Sequence, residues 1–165
     1  MSLVKIQLFG DFQLTYNGRS VTAINSPRQQ SLLVYLLLHR HHPQPRRHIA
    51  FLFWPDSSER QALTNLRTLY ARLRQKLPQA DLFLQADAQT MQWQIDAPFT
   101  LDVAEFETAV STATTATEWQ TAVNLYSGTL LPGWYDEWLE PERQRLQQQF
   151  FQANETLITL LEDQR

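Results

Sequence analysis

The chain has 165 residues, 43% of them hydrophobic, with no cysteine and a formal net charge of −3. That length accommodates one large or two small domains, and the apolar content is sufficient for a core. The absence of cysteine excludes a disulfide framework, a thiolate metal site and a cysteine nucleophile, and it fits the cytoplasm, where we expect the protein to reside.

No apolar run approaches the roughly 18–20 residues of a membrane span, so no membrane partner is expected. The opening MSLVKIQLFG lacks an apolar run behind basic residues, so no signal peptide is expected either. The charge is divided along the chain. Residues 1–97 hold 11 Lys+Arg against 6 Asp+Glu, net +5, and residues 98–165 hold 3 against 11, net −8. Such asymmetry points to a nucleic-acid module joined to another kind of module, with a boundary at 97/98.

Residues 3–9 and 12–16 alternate apolar and polar, the period of a half-buried strand, and turn chemistry at Gly10-Asp11 and Asn17-Gly18 bounds them. A third short strand is expected over Ser20–Ile24. Ser26-Pro27-Arg28-Gln29 reads as a helix start with a capping box. Leu32, Leu33, Tyr35, Leu36 and Leu37 give that helix a broad buried face, and the proline-bearing stretch His39–Pro45 ends it. Arg46–Phe53 reads as a short second helix with Ile49, Leu52 and Phe53 on its apolar side, stopped by Trp54-Pro55-Asp56.

The third helix, 58–77, starts with its own capping box, Ser58 to Gln61. Leu63, Leu66, Tyr70, Leu73 and Leu77 form one stripe. Thr64, Thr68, Ala71 and Gln75 point away from it. Arg60, Arg67 and Arg74 flank one side, and Asn65, Arg72 and Lys76 the other. Strands at Leu82–Ala86 and Met91–Ile95 enclose the turn Asp87-Ala88-Gln89-Thr90. A short helix, a tight turn, a longer basic helix and a hairpin make a winged helix-turn-helix, with helix 58–77 in the major groove and wing 82–95 on adjacent backbone or minor groove.

After Pro98, Leu101–Ser111 is amphipathic through Val103, Phe106 and Val110. A Thr/Ala linker, 111–117, leads to a helix bearing Trp119, Val123 and Tyr126. A loop over 127–132 precedes Trp134, Tyr135 and Trp138, which read as core at a seam between helices, the alternative being a platform for a ligand or a single-stranded base. A long helix then runs to about Leu161. Its residues Leu146, Phe150, Ala153, Leu157 and Leu160 suit packing on the preceding helices, and a homodimer if that face is left uncovered. The expected class is therefore α+β: a small N-terminal antiparallel sheet with the winged helix, then a helical domain.

Several further constellations read as structural. His39, His41, His42 and His48 lack a helical His-x-x-x-His pair, so we expect no metal and no cofactor. Asp102, Glu105 and Glu107 enrich a helix N-terminus in acid, which the macrodipole favours. With no phosphate loop and no Ser/His/Asp constellation, an enzyme is not expected.

Leu8-Phe9-Gly10, Ser26-Pro27-Arg28-Gln29, Phe53-Trp54-Pro55-Asp56, Asn65-Leu66-Arg67 and Tyr70-Ala71-Arg72-Leu73-Arg74 occur in an order that resembles the Streptomyces antibiotic regulatory protein (SARP) family. Leu101–Glu107, Leu125-Tyr126-Ser127-Gly128, Tyr135-Asp136-Glu137-Trp138 and Glu142–Leu146 continue the likeness. The resemblance implies an OmpR-like winged-helix DNA-binding domain at 1–97, then the start of a tetratricopeptide-like bacterial transcriptional activator domain at 98–165, in a longer protein. It also implies an activator that contacts RNA polymerase and reads direct repeats in promoter DNA. The chain departs from the family where the second helix opens with Pro45-Arg46-Arg47-His48 instead of a capping serine and acids. Positive charge at a positive helix end costs a little stability or places a cation, Arg47, on phosphate.

The residues then divide by role. Thr64, Asn65, Thr68 and Arg72 are expected to read bases, since arginine grips guanine, asparagine adenine and threonine the thymine methyl. Arg60, Arg67, Arg74 and Arg47 are expected on phosphates, which position without reading. Gln89 and Thr90 form the wing tip. The competing reading is a protein-interaction scaffold whose winged helix does not bind DNA.

Overall fold

The computed structural model describes residues 3–165. In chain order the strands and helices are β1 (Val4–Gln7), β2 (Gln13–Tyr16), β3 (Arg19–Ser20), α1 (Pro27–Leu38), β4 (Gln44–Pro45), α2 (Arg46–Phe53), α3 (Glu59–Lys76) and α4 (Ala80–Phe83). Then follow β5 (Leu84–Ala86), β6 (Thr90–Trp93), β7 (Phe99–Leu101), α5 (Asp102–Thr112), α6 (Ala116–Leu125) and α7 (Leu139–Asp163). The expected mixture of a small N-terminal sheet followed by helices is what the chain adopts.

Two units partition the chain: Val21–Ala97, and the segment through Ser20 together with Pro98–Arg165. One edge falls at 97/98, and the first strands belong with the helical unit. The reason is β7, which pairs in parallel with β1, Val4 opposite Phe99 and Ile6 opposite Leu101. The resulting sheet runs β3-β2-β1-β7. Within it, the β1–β2 ladder is antiparallel, and the Asn17-Gly18 turn after β2 has φ values of 49° and 81°, the left-handed pair that Asn-Gly tolerates. The third strand is shorter than expected, only Arg19–Ser20, with Ile24 buried beyond it.

Asp102 shows why the sheet and α5 stay together. Its carboxylate accepts the amides of Leu8 (3.0 Å to each oxygen), Phe9 (2.9 Å) and Val103 (2.8 Å). Burial pushes this carboxyl above the usual aspartate range, while the Phe9, Leu8 and Val103 amides pull it the other way. It thereby joins the chain after β1 to the first turn of α5. Phe9, Phe106, Tyr126 and Phe150 then form an aromatic column, with Tyr126 stacked on Phe150 at a centroid separation of 4.4 Å. It ties the end of β1 to α5, α6 and α7.

Two expectations in this unit are corrected. Tyr135 is not core but 92% exposed, while Trp134 and Trp138 are half-buried and Trp134 stacks on Phe12. Arg143 also donates to the backbone carbonyls of this loop, and the Tyr135 ring faces water. The Thr/Ala stretch is also less of a linker than expected. Helix α5 continues to Thr112, and Thr115 caps α6 by accepting the Glu118 amide at 3.2 Å. On α7, Leu146, Ala153 and Leu157 are buried as expected, Phe150 and Leu160 are half-buried, and Phe151, Ile158 and Leu161 are exposed.

In the other unit α1 is buried all round from Ser31 to Leu38 rather than on one face. The expected capping box at its start does not form: Ser26 makes no side-chain cap bond, and Gln29 is buried. Gln30 secures this end instead, donating to the Ile24 carbonyl at 3.0 Å. Arg28 lies over the Phe53 and Trp54 rings at 5.6 and 5.3 Å, binding the first turn of α1 to the chain after α2. On α2 the buried side is Ile49, Ala50 and Phe53, with Leu52 only half-buried and Phe51 65% exposed.

The second sheet has the order β4-β6-β5 and is antiparallel throughout. The hairpin strands are shorter than 82–86 and 91–95. Residues 80–83 form a helical turn, because consecutive Phe83 and Leu84 are both buried and a strand would place them on opposite faces. Phe83 and Trp93 stack at 5.2 Å under the hairpin, both fully buried.

Candidate nucleic-acid interface

Helix α3 is fixed from beneath. Ala62, Leu66, Leu69, Tyr70 and Leu73 are buried, with Leu77 just past its end. The stripe is one position broader than the sequence pattern gave: Leu63 is half-buried, and Ala62 and Leu69 share its work. Each fully buried leucine contributes about 2 kcal/mol, enough for this helix to present a defined outer face. Its start is capped by Ser58, whose hydroxyl accepts the Gln61 amide at 3.1 Å. The Gln61 side chain does not return to complete the box; it donates to Asn65 Oδ1 at 2.8 Å.

The outer face carries Arg60, Thr64, Arg67, Thr68, Ala71, Arg72, Arg74 and Gln75, all exposed, with Asn65 half-buried at its edge. Thr64 and Thr68 donate their hydroxyls to the carbonyls of Arg60 (3.0 Å) and Thr64 (3.2 Å). With the hydroxyl protons engaged, these threonines offer a ligand their methyl groups and oxygen lone pairs. Asn65 has one oxygen lone pair engaged by Gln61 and both amide protons available. Arg60, Arg67 and Arg72 form no hydrogen bond or ion pair among the described residues. Arg74 is paired with Asp81, and Arg47 with Glu59.

The β5–β6 hairpin follows α3 and α4 in the same unit. Asp87 Oδ1 accepts the amides of Gln89 (2.8 Å) and Thr90 (2.7 Å), which fixes the tip. Those two amides, and the Thr90 hydroxyl, hold the Asp87 carboxyl below the usual aspartate range. A lowered carboxyl stabilises the turn above its unfolded value, and that contribution is lost as pH falls through the folded one. Acidification should therefore move the Gln89 and Thr90 amide resonances together, with a midpoint below the usual aspartate range. A midpoint within or above the usual aspartate range in a two-dimensional NMR titration would contradict the lock.

Sequence reasoning missed how this hairpin is anchored. Gln44–Pro45 pairs with it, Gln44 opposite Met91 and Pro45 opposite Thr90, and the Arg46 amide donates to the Gln89 carbonyl at 2.9 Å. The start of α2 and the hairpin tip are thereby joined. A two-residue strand has no periodicity to read, so nothing in the sequence announced it. Also missed were the two acids, Glu59 and Asp81, that engage expected phosphate cations. This unit holds 9 Lys+Arg against 5 Asp+Glu over 21–97, net +4. His39 turns inward, its Nδ1 2.9 Å from the Tyr35 carbonyl and its ring stacked on Tyr35; His41, His42 and His48 are exposed. No helix among the described residues is long and apolar enough to cross a membrane.

No protein-family model and no curated protein sequence matches the chain. Among solved structures, Mycobacterium tuberculosis EmbR in complex with a low affinity phosphopeptide aligns with 93% of this chain at a TM-score of 0.70 and 22% sequence identity. The chain spans 44% of the length of that EmbR chain. The fold of this chain is thus similar to that of part of EmbR.

Proposed function

We propose that the chain is a sequence-specific, double-stranded-DNA-binding transcriptional regulator, with α3 in the major groove and the β5–β6 hairpin as a wing on adjacent backbone or minor groove. One observation carries the reading. A helix locked by a buried stripe turns outward a continuous strip of threonines, amides and arginines, and three of those arginines have no partner within the described chain. A solvated structural helix commonly pairs such arginines with acids at three- or four-residue spacing; this one has only Glu59 in its first turn. The resemblance to SARP regulators and the net positive charge of this unit support the same assignment.

Thr64, Asn65, Thr68 and Arg72 take the base-reading role. Arg60, Arg67, Arg74 and Arg47 take phosphates, and Gln89 and Thr90 meet the backbone from the wing. The acidic helical unit is read as the protein-contacting half of an activator, with RNA polymerase as its partner. Direct repeats in the promoter and a homodimer belong to the same reading. No catalytic group or cofactor is required.

A gel shift on a random duplex at graded salt tests this. The unpaired phosphate cations Arg60 and Arg67 predict log K falling against log salt with a slope of about −2, steepening to about −4 if Arg47 and Arg74 contribute in full. A scaffold that does not touch DNA would show no shift at the lowest salt, and that outcome would favour the alternative.

A further inference from the structure

Two of the exposed arginines on and beside α3 are engaged, and both lie toward an end of the helix. Arg74 pairs with Asp81, in a shallow depression lined by Ala71, Gln75, Gln79 and Ala80, and Arg47 pairs with Glu59 in the first turn of α3. Arg60, Arg67 and Arg72 are left free. Both pairs lie in water: side-chain exposures are 45% and 85% for Arg74 and Asp81, and 79% and 56% for Arg47 and Glu59. Exposed pairs hold weakly. Their carboxylate oxygens nonetheless offer a guanidinium the same kind of charge-assisted hydrogen bond that a phosphate oxygen offers.

We propose, on the basis of the DNA-binding reading above, that Asp81 and Glu59 are internal counter-ions. They occupy Arg74 and Arg47 in the free protein and exchange them for DNA phosphates on binding. The exchange leaves a carboxylate facing the duplex, where it takes up a cation. One fewer cation is then released overall for each pair exchanged. Because phosphates carry no base information, the acids lower affinity for cognate and random DNA by the same factor. They set how long the protein stays on DNA without changing which sequence it selects.

Asp81→Asn in the full chain tests the stronger case, with a fluorescently labelled random-sequence duplex as the probe. We expect binding to tighten about fivefold at low salt, the upper range for release of an exposed pair, and the salt slope to steepen by about one. Asp96→Asn removes the same charge from an exposed position in the same unit and should change affinity less than twofold. In an Arg74→Ala background the gain from Asp81→Asn should disappear. Glu59→Gln with and without Arg47→Ala repeats the cycle at the other end of the helix. An Asp81→Asn gain no larger than that of Asp96→Asn, or one that survives Arg74→Ala, overturns the counter-ion role alone. Absence of binding by every variant overturns the DNA-binding reading with it.

Discussion

Replacing Arg143 with alanine is expected to lower the stability of the helical unit by about 3 kcal/mol, on the order of a 10 °C drop in its melting temperature. This guanidinium is the only group that holds three backbone carbonyls at once among the described hydrogen bonds. Its Nε donates to Leu130 at 2.8 Å, and Nη2 donates to Leu131 at 2.7 Å and Trp134 at 2.9 Å. Nη1 bonds Glu140 at 2.6 Å. Leu130 is buried, so truncation strands its carbonyl away from water rather than returning it, while the Leu131 carbonyl keeps only the Trp134 amide at 3.0 Å. Leu131 also sits at a φ of 39°, a conformation a leucine holds only when its surroundings require it. Lysine should rescue little, since one ammonium on a flexible stem cannot reproduce a planar fork. Glu140→Gln should cost far less, because Glu140 is 52% exposed and its half of the pair is solvated. Thermal and urea unfolding monitored by circular dichroism decide the matter; a loss below about 1 kcal/mol for the alanine variant would mean the loop is held by Trp134 stacking on Phe12 instead.

That keystone illustrates where sequence reasoning ends. The α3 helix was legible because Leu66, Tyr70 and Leu73 repeat at helical spacing and Ser58 stands where a cap is needed. The hairpin was legible because Asp87 begins a turn between two apolar runs, although its exact strands were not. Nothing comparable signals Arg143, whose partners lie nine to thirteen residues back along a loop. The same holds for β7, three residues long and paired in parallel with a strand about ninety-five positions away. Short strands carry no period, and parallel pairing leaves no hairpin turn to find.

The site divides in the same way. Outward positions on α3 followed from the wheel, since Thr64, Thr68, Ala71 and Gln75 are all exposed. What those side chains do with their hydrogen bonds did not follow, because Gln61 could have closed the capping box and chose Asn65 instead. The Ser26 box failed for a related reason: a local motif competes with burial, and at Gln29 burial won. Ion pairs were the least legible. Arg74 and Asp81 are seven residues apart across a helix end, and Arg47 and Glu59 twelve apart across a turn.

Arg72→Ala is expected to weaken binding to the cognate site by roughly 1–3 kcal/mol and to relax specificity at the base it grips. Two features suit Arg72 to reading a base. It lies one helical turn beyond Thr68 on the line Thr64–Thr68–Arg72, exposed on the same flank of the outward strip as Asn65. It also forms no ion pair among the described residues, so its guanidinium is available without displacing an acid. Arg74→Ala should behave differently: its contact is with phosphate, so affinity should fall alike on cognate and random duplexes. The salt slope should lose little there, because Asp81 no longer takes up a cation. The comparison needs a selected cognate duplex and a scrambled one, titrated with each variant at one fixed salt. Arg72→Ala should shrink the ratio of the two affinities, and Arg74→Ala should leave it unchanged. Equal losses on both duplexes for Arg72→Ala would move Arg72 to the phosphate set and leave Thr64, Asn65 and Thr68 to read sequence, a strip with no guanidinium to grip guanine.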